Sequence, residues 1–151
     1  IKHVEHNMII NLCKLGYIVY FNLEDQNQYV MMLEHLVNNM SNVEIQLYLY
    51  FASIYFIENQ KYKTALELIV LEESLPQQNE YITAMFYEIG YVIKQRLHMK
   101  NCASDDYNHA MNRYTKFHNV QRMMKLAMYK VENLSIENPK KALDNNISNI
   151  T

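Results

Sequence analysis

The sequence predicts an all-α protein assembled from helical hairpins, and three observations carry that prediction. Apolar residues recur with a 3.6-residue period along most of the chain, as in Leu47, Leu49, Ala52, Phe56 and Ile57, with the small Ser53 among them, so they share one side of a helix. Ser41 and Glu44 form a capping box, in which each side chain satisfies a backbone N–H that the first turn leaves without a partner. The two glycines, Gly16 and Gly90, each lie 37 residues from Ser53 inside an apolar helical pattern. Glycine inside a helix costs roughly 1 kcal/mol relative to alanine, so both positions predict helices whose backbones approach closely.

The first helix follows IKHVEHNMIINLCKLGYIVYF, periodic almost from its first residue, and ends near Phe21 or Asn22 with a turn over residues 23–27. So abrupt a start predicts a helix cut from a longer one, with a further domain upstream of Ile1. A second helix covers residues 28–39. The third begins near Asn42 and is interrupted by Glu58, Asn59, Gln60 and Lys61. Tyr62, Ala65, Leu66, Ile69 and Val70 resume the pattern as a fourth helix, which Pro76 ends because proline cannot continue a helix and biases its predecessor away from the α region. Residues 77–100 form a fifth, with Lys94 and Arg96 near its negative end. MKNCASDD then reads as an insertion, and Ser104, Asp105 and Asp106 cap a sixth helix through Phe117. Asn119 caps a seventh through Val131 or Glu132, and Asn138-Pro139 opens a short eighth before a polar tail. The expected division is a helical domain over residues 1–134 and a terminal helix with tail over 135–151.

Composition narrows the class. At 151 residues and 50% hydrophobic, the chain is long enough for a substantial core. No apolar run reaches the length of a membrane-spanning helix and no secretory signal is present, which predicts a soluble chain with no membrane partner. Cys13 and Cys102 lack metal-like spacing and read as reduced thiols of a cytoplasmic protein. Charge is divided unevenly: residues 1–75 carry four Lys/Arg against nine Asp/Glu, and residues 76–151 carry ten against seven.

Three tyrosine-led patterns, Tyr29-x-x-Met32-Leu33, Tyr62-x-x-Ala65-Leu66 and Tyr107-x-x-Ala110-Met111, recur in the second helices of successive hairpins. With Ser53 before Phe56, and Pro76 closing the middle unit, these residues resemble the tetratricopeptide repeat, a helix-turn-helix unit of about 34 residues. The resemblance covers roughly residues 8–118. It implies a right-handed superhelical array of about three hairpins plus a terminal helix.

No catalytic chemistry is legible. There is no Gly-rich phosphate loop, HExxH, CxxC or nucleophile elbow, so the chain is not expected to be an enzyme or to hold a cofactor. His3, Glu5 and His6 read as a solvated helix rather than a metal site. RYTKFHNVQRMMKLAMYK mixes basic and aromatic residues, yet Met123, Met124, Leu126, Ala127 and Met128 give it an apolar docking face, so nucleic-acid contact by this segment is not expected.

In such an array the first helices line a concave groove. The repeat frame assigns to it Cys13, Tyr17 and Tyr20, then Tyr50, Ile54, Ile57 and Glu58, then Tyr87, Tyr91, Lys94 and Gln95. Tyrosine rings supply contact area and their hydroxyls bond to backbone, which suits a short peptide or protein segment; the same tyrosines could instead complete the core. The architecture and the Ile/Asn/Lys/Tyr-rich composition also resemble the carboxy-terminal sensor region of bacterial transcriptional regulators of the Rgg and PlcR type. That resemblance implies a homodimer that binds a signalling peptide, below an upstream DNA-binding domain. An adaptor that binds a protein partner without a regulatory peptide is the alternative.

Overall fold

The computed structural model describes residues 7–137, and they are helical with short turns. The order is α1 (Met8–Tyr20), α2 (Gln26–Glu34), a 3₁₀ turn (Val37–Asn39), α3 (Asn42–Glu58), α4 (Tyr62–Glu73), α5 (Glu80–Arg96), α6 (Lys100–Lys116) and α7 (Val120–Glu137). The expected all-α class is observed. The chain forms two compact units, Ile1–Ala110 and Met111–Thr151. His3, His6 and the expected eighth helix and tail lie outside the described residues.

Helix starts follow side-chain chemistry. Ser41 Oγ accepts from the Glu44 N–H at 3.3 Å and Glu44 Oε1 accepts from the Ser41 N–H at 2.9 Å, which is the capping box. Asn7 and Asn79 cap α1 and α5 through their side-chain oxygens. The ends of α1, α3, α5 and α6 share one device. Asn22, Gln60, His98 and His118 all adopt left-handed φ angles, between 50° and 60°. The next N–H bonds back five residues in each case, as from Lys61 to the Phe56 carbonyl and from Met99 to the Lys94 carbonyl, both at 2.8 Å. This is the Schellman closure, normally built on glycine because a Cβ is strained there. Gln60→Gly is therefore expected to raise stability by about 0.5 to 1 kcal/mol, read as a higher urea midpoint.

The closure after α5 corrects the sixth helix. α6 starts at Lys100, so MKNCASDD is no insertion between helices, and Ser104 does not cap. Ala103 is fully buried within the first turns. Tyr107-x-x-Ala110 therefore lies inside α6 rather than at its start, about seven residues beyond Ala103, and two helical turns return nearly the same face. α2 also departs from expectation. It begins earlier and gives way to a 3₁₀ turn rather than continuing to Asn39.

In the first unit α3 packs on α1, α2, α4 and α5, and α4 packs on α5. Leu12, Leu15, Leu33, Ala52, Ala65, Phe86 and Ile93 meet in its core, each large aliphatic or aromatic side chain contributing roughly 1.5 to 3 kcal/mol by leaving water. Both glycines sit at close approaches. A Cβ on Gly16 would stand 2.7 Å from the Phe51 ring, and one on Gly90 would stand 2.5 Å from Asp106 Oδ2. Two buried hydroxyls are satisfied by backbone carbonyls: Ser53 Oγ donates to the Leu49 carbonyl at 2.7 Å, and Tyr48 Oη donates to the Val30 carbonyl at 3.1 Å, tying α3 to α2. Burial, aided by Glu34, pushes the Tyr48 phenol well above its usual range.

In the second unit Tyr114 and Leu126 are fully buried. Asn119 Oδ1 accepts from the Arg122 N–H at 3.1 Å, the expected cap of α7. The expected apolar docking face of α7 is split: Leu126 is buried and Met123 and Ala127 are half-buried, but Met124 and Met128 are each 62% exposed.

Candidate binding groove

α1 reads MIINLCKLGYIVY, apolar nearly all round with Lys14 as its one charge. A helix of that kind is normally enclosed by neighbours. Here it buries Asn11, Leu12, Leu15 and Val19, while Ile9, Ile10 and Tyr17 remain 43 to 59% exposed. These exposed residues wall a groove of about 520 Å³ between α1 and α2, completed by Cys13, Lys14, Ile18, Leu23 and Tyr29. At its far end Phe21 meets Tyr17 at a tilt of 51° (centroids 4.7 Å apart) and Tyr20 edge-on at 5.0 Å, and all three rings face solvent. The volume falls within the range of about 300 to 1,000 Å³ seen in ligand-sized clefts, and the lining is mostly apolar.

The residues that the sequence assigned to a groove are spread over different environments. Cys13 and Tyr17 line the α1–α2 groove, and Tyr20 lies beside it, 81% exposed. Tyr50 is buried, with its ring against Phe86 at 5.7 Å. Tyr91 is 3% exposed and meets Tyr107 edge-on. Ile54 and Ile57 are half-buried and pack on the core, and Glu58 is exposed. Tyr87 stacks on His109 at 4.8 Å, Gln95 is half-buried, and Lys94 pairs with Asp106 at 2.7 Å. Ile9, Ile10, Ile18, Leu23 and Tyr29 were missed as groove residues. Their signal was the excess of apolar residues on α1, more than one buried face can use.

A buried polar junction lies elsewhere in the same unit. Glu72, at the end of α4, is only 2% exposed. Gln46 Nε2 donates to Glu72 Oε1 at 2.9 Å and to Thr83 Oγ1 at 3.1 Å, and Gln46 Oε1 accepts from the Asn79 N–H at 2.9 Å. One amide thus joins α3, α4 and the cap of α5. Burial raises the Glu72 carboxyl above 4.5, opposed by the Gln46 hydrogen bond. Because the folded value is raised, the fold holds this proton more tightly than the unfolded chain does. Stability is then expected to fall as pH rises from the ordinary carboxylate range through the raised value, and to be flat above it. Glu72→Gln removes that slope, so the urea midpoint of the native chain should drop relative to the variant as pH rises above the ordinary carboxylate range. Parallel profiles would contradict it. Asp106 is likewise raised by burial, with Lys94 opposing.

Among the described residues no group of three or more His, Cys, Asp or Glu side chains is placed to hold a metal, and no helix is long and apolar enough to cross a membrane. Both cysteines are free and exposed. Comparison with protein-family models, with curated proteins and with solved structures finds no match to this chain.

Proposed function

We propose that the chain is a helical-hairpin binding module that takes an apolar peptide or protein segment along α1 and α2. The observation that carries this reading is the groove itself: an apolar helix left half uncovered, with three solvent-facing aromatic rings at one end. The tetratricopeptide-like array is supported by register. α3 and α5 each have 17 residues and start 38 residues apart, and α4 and α6 start at the same spacing. The succession of α1 on α3 and α3 on α5 agrees with it.

The test is a selection of random twelve-residue peptides on the full chain. The enriched peptides are expected to lose binding to Ile10→Glu, which puts a charge into the groove wall at an exposed site. Peptides indifferent to that substitution would overturn the groove. Within this reading, the resemblance implies the sensing and dimerisation part of a transcriptional regulator. A DNA-binding domain encoded upstream of Ile1 supports that version, and further hairpins there replace it with an adaptor.

A further inference from the structure

Four helices open on a side-chain cap: α1 on Asn7, α3 on Ser41, α5 on Asn79 and α7 on Asn119. Counting from the cap places them in one register, in which the fifth and ninth residues stand out. In α1, α3 and α5 the fifth is Leu12, Gln46 or Ala84, each at most 1% exposed, and the ninth is Gly16, Tyr50 or Glu88, half-buried or buried. On α1 and α3 the cover is the next capped helix. The Phe51 ring of α3 lies against Gly16, the Phe86 ring of α5 lies 5.7 Å from that of Tyr50, and Gln46 Nε2 donates to Thr83 Oγ1 of α5 at 3.1 Å. In α7 the same two positions hold Met124 and Met128, each 62% exposed, and Val120 extends them by one turn. Leu126 lies two residues from each methionine, on the opposite side of the helix, and is fully buried. A helix apolar on two sides is normally enclosed on both.

Charge narrows what can cover it. Residues 111–132 carry Arg113, Lys116, Arg122, Lys125 and Lys130 against Glu132 alone, and Lys116, Lys125 and Lys130 are exposed. A second copy would offer its uncovered α1, whose one charge is Lys14, and so bring like charge to this face. From the register and the charge we infer that the Val120-Met124-Met128 face docks one amphipathic helix of a partner protein. That helix carries an aromatic residue in the role of Phe51 or Phe86 and acidic residues beside its apolar stripe. A ring suits the two methionines, because thioether sulfur meets aromatic edges favourably and the side chain adapts its shape. None of these residues lines the α1–α2 groove. The inference rests on the array reading and is independent of peptide capture in the groove.

A displayed library of helical peptides of 17 residues, the length of α3 and α5, selected on the full chain, tests this. Enriched helices are expected to combine Phe or Tyr with Asp or Glu, and to bind Ile10→Glu as they bind the native chain. Met124→Glu and Met128→Glu should each weaken them by about tenfold, and added salt should weaken them further. Both variants are expected to melt with the native chain, since both sites face solvent. Helices indifferent to the two methionines would overturn the inference and leave the array standing on its own spacing. Helices that need both methionines but carry no aromatic would overturn it together with the register on which it rests. Self-association of the full chain that Met124→Glu abolishes would assign the face to a second copy. A marked fall in melting temperature in either variant would assign it to a segment of this chain. Either of these results overturns the partner helix.

Discussion

Replacing Gln46 by alanine is expected to lower the unfolding free energy by roughly 3 to 5 kcal/mol. Gln46 is fully buried, and its amide supplies a donor to the Glu72 carboxylate and an acceptor to the Asn79 N–H that begins α5. Truncation leaves a carboxylate without that donor, an unmatched backbone N–H, and a void. For a chain of this length the melting temperature should fall by on the order of 10 °C. The sign of the second substitution identifies the cause. Adding Glu72→Leu to Gln46→Ala removes the stranded charge, so the double variant should be more stable than the sum of the two single changes implies. Strict additivity would mean that the two side chains act independently.

Gly90→Leu is expected to be destabilising by about 4 kcal/mol, through overpacking and through loss of a buried ion pair. The reason is the position of Asp106, whose carboxylate lies where a Cβ of residue 90 would go and reaches Lys94 at 2.7 Å, with side chains only 10% and 15% exposed. Gly90→Ala separates the two contributions. The obstructing atom is the tip of a side chain that can swing, and alanine gains about 1 kcal/mol of helix propensity, so this variant should lie near the native chain. Thermal melts of the pair read the difference. An unchanged melting temperature for Gly90→Leu would show that α5 and α6 do not meet at this point.

Local chemistry made much of the fold legible. The Ser41/Glu44 box, the Asn119 cap and the stop before Pro76 are written in neighbouring residues, and all lie close to where the helices begin or end. Gly16 and Gly90 signalled close approaches because glycine has few other reasons to sit inside a helix. What failed depended on distant partners. Non-glycine residues in left-handed closures, such as His98, give no turn signal, so the start of α6 was displaced by a pattern that recurs every two turns. Glu72 looks solvated until Gln46 arrives from 26 residues away. The groove was half legible: Tyr17 and Cys13 belong to it, but Tyr50 and Tyr91 satisfy the same periodicity from inside the structure. Periodicity marks a face without saying whether another helix covers it.

We propose that the furrow on α1 and α2 receives a partner segment, and the chain carries its own reporter for that event. Cys13 lines the furrow, while Cys102, equally free and exposed, lies on α6 outside it. Alkylation of the full chain by iodoacetamide, read at each cysteine by mass spectrometry, compares the two sites within one molecule. With a selected peptide at roughly ten times its Kd, the rate at Cys13 should fall about tenfold while Cys102 keeps its rate. Equal rates at Cys13 with and without bound peptide would contradict the account.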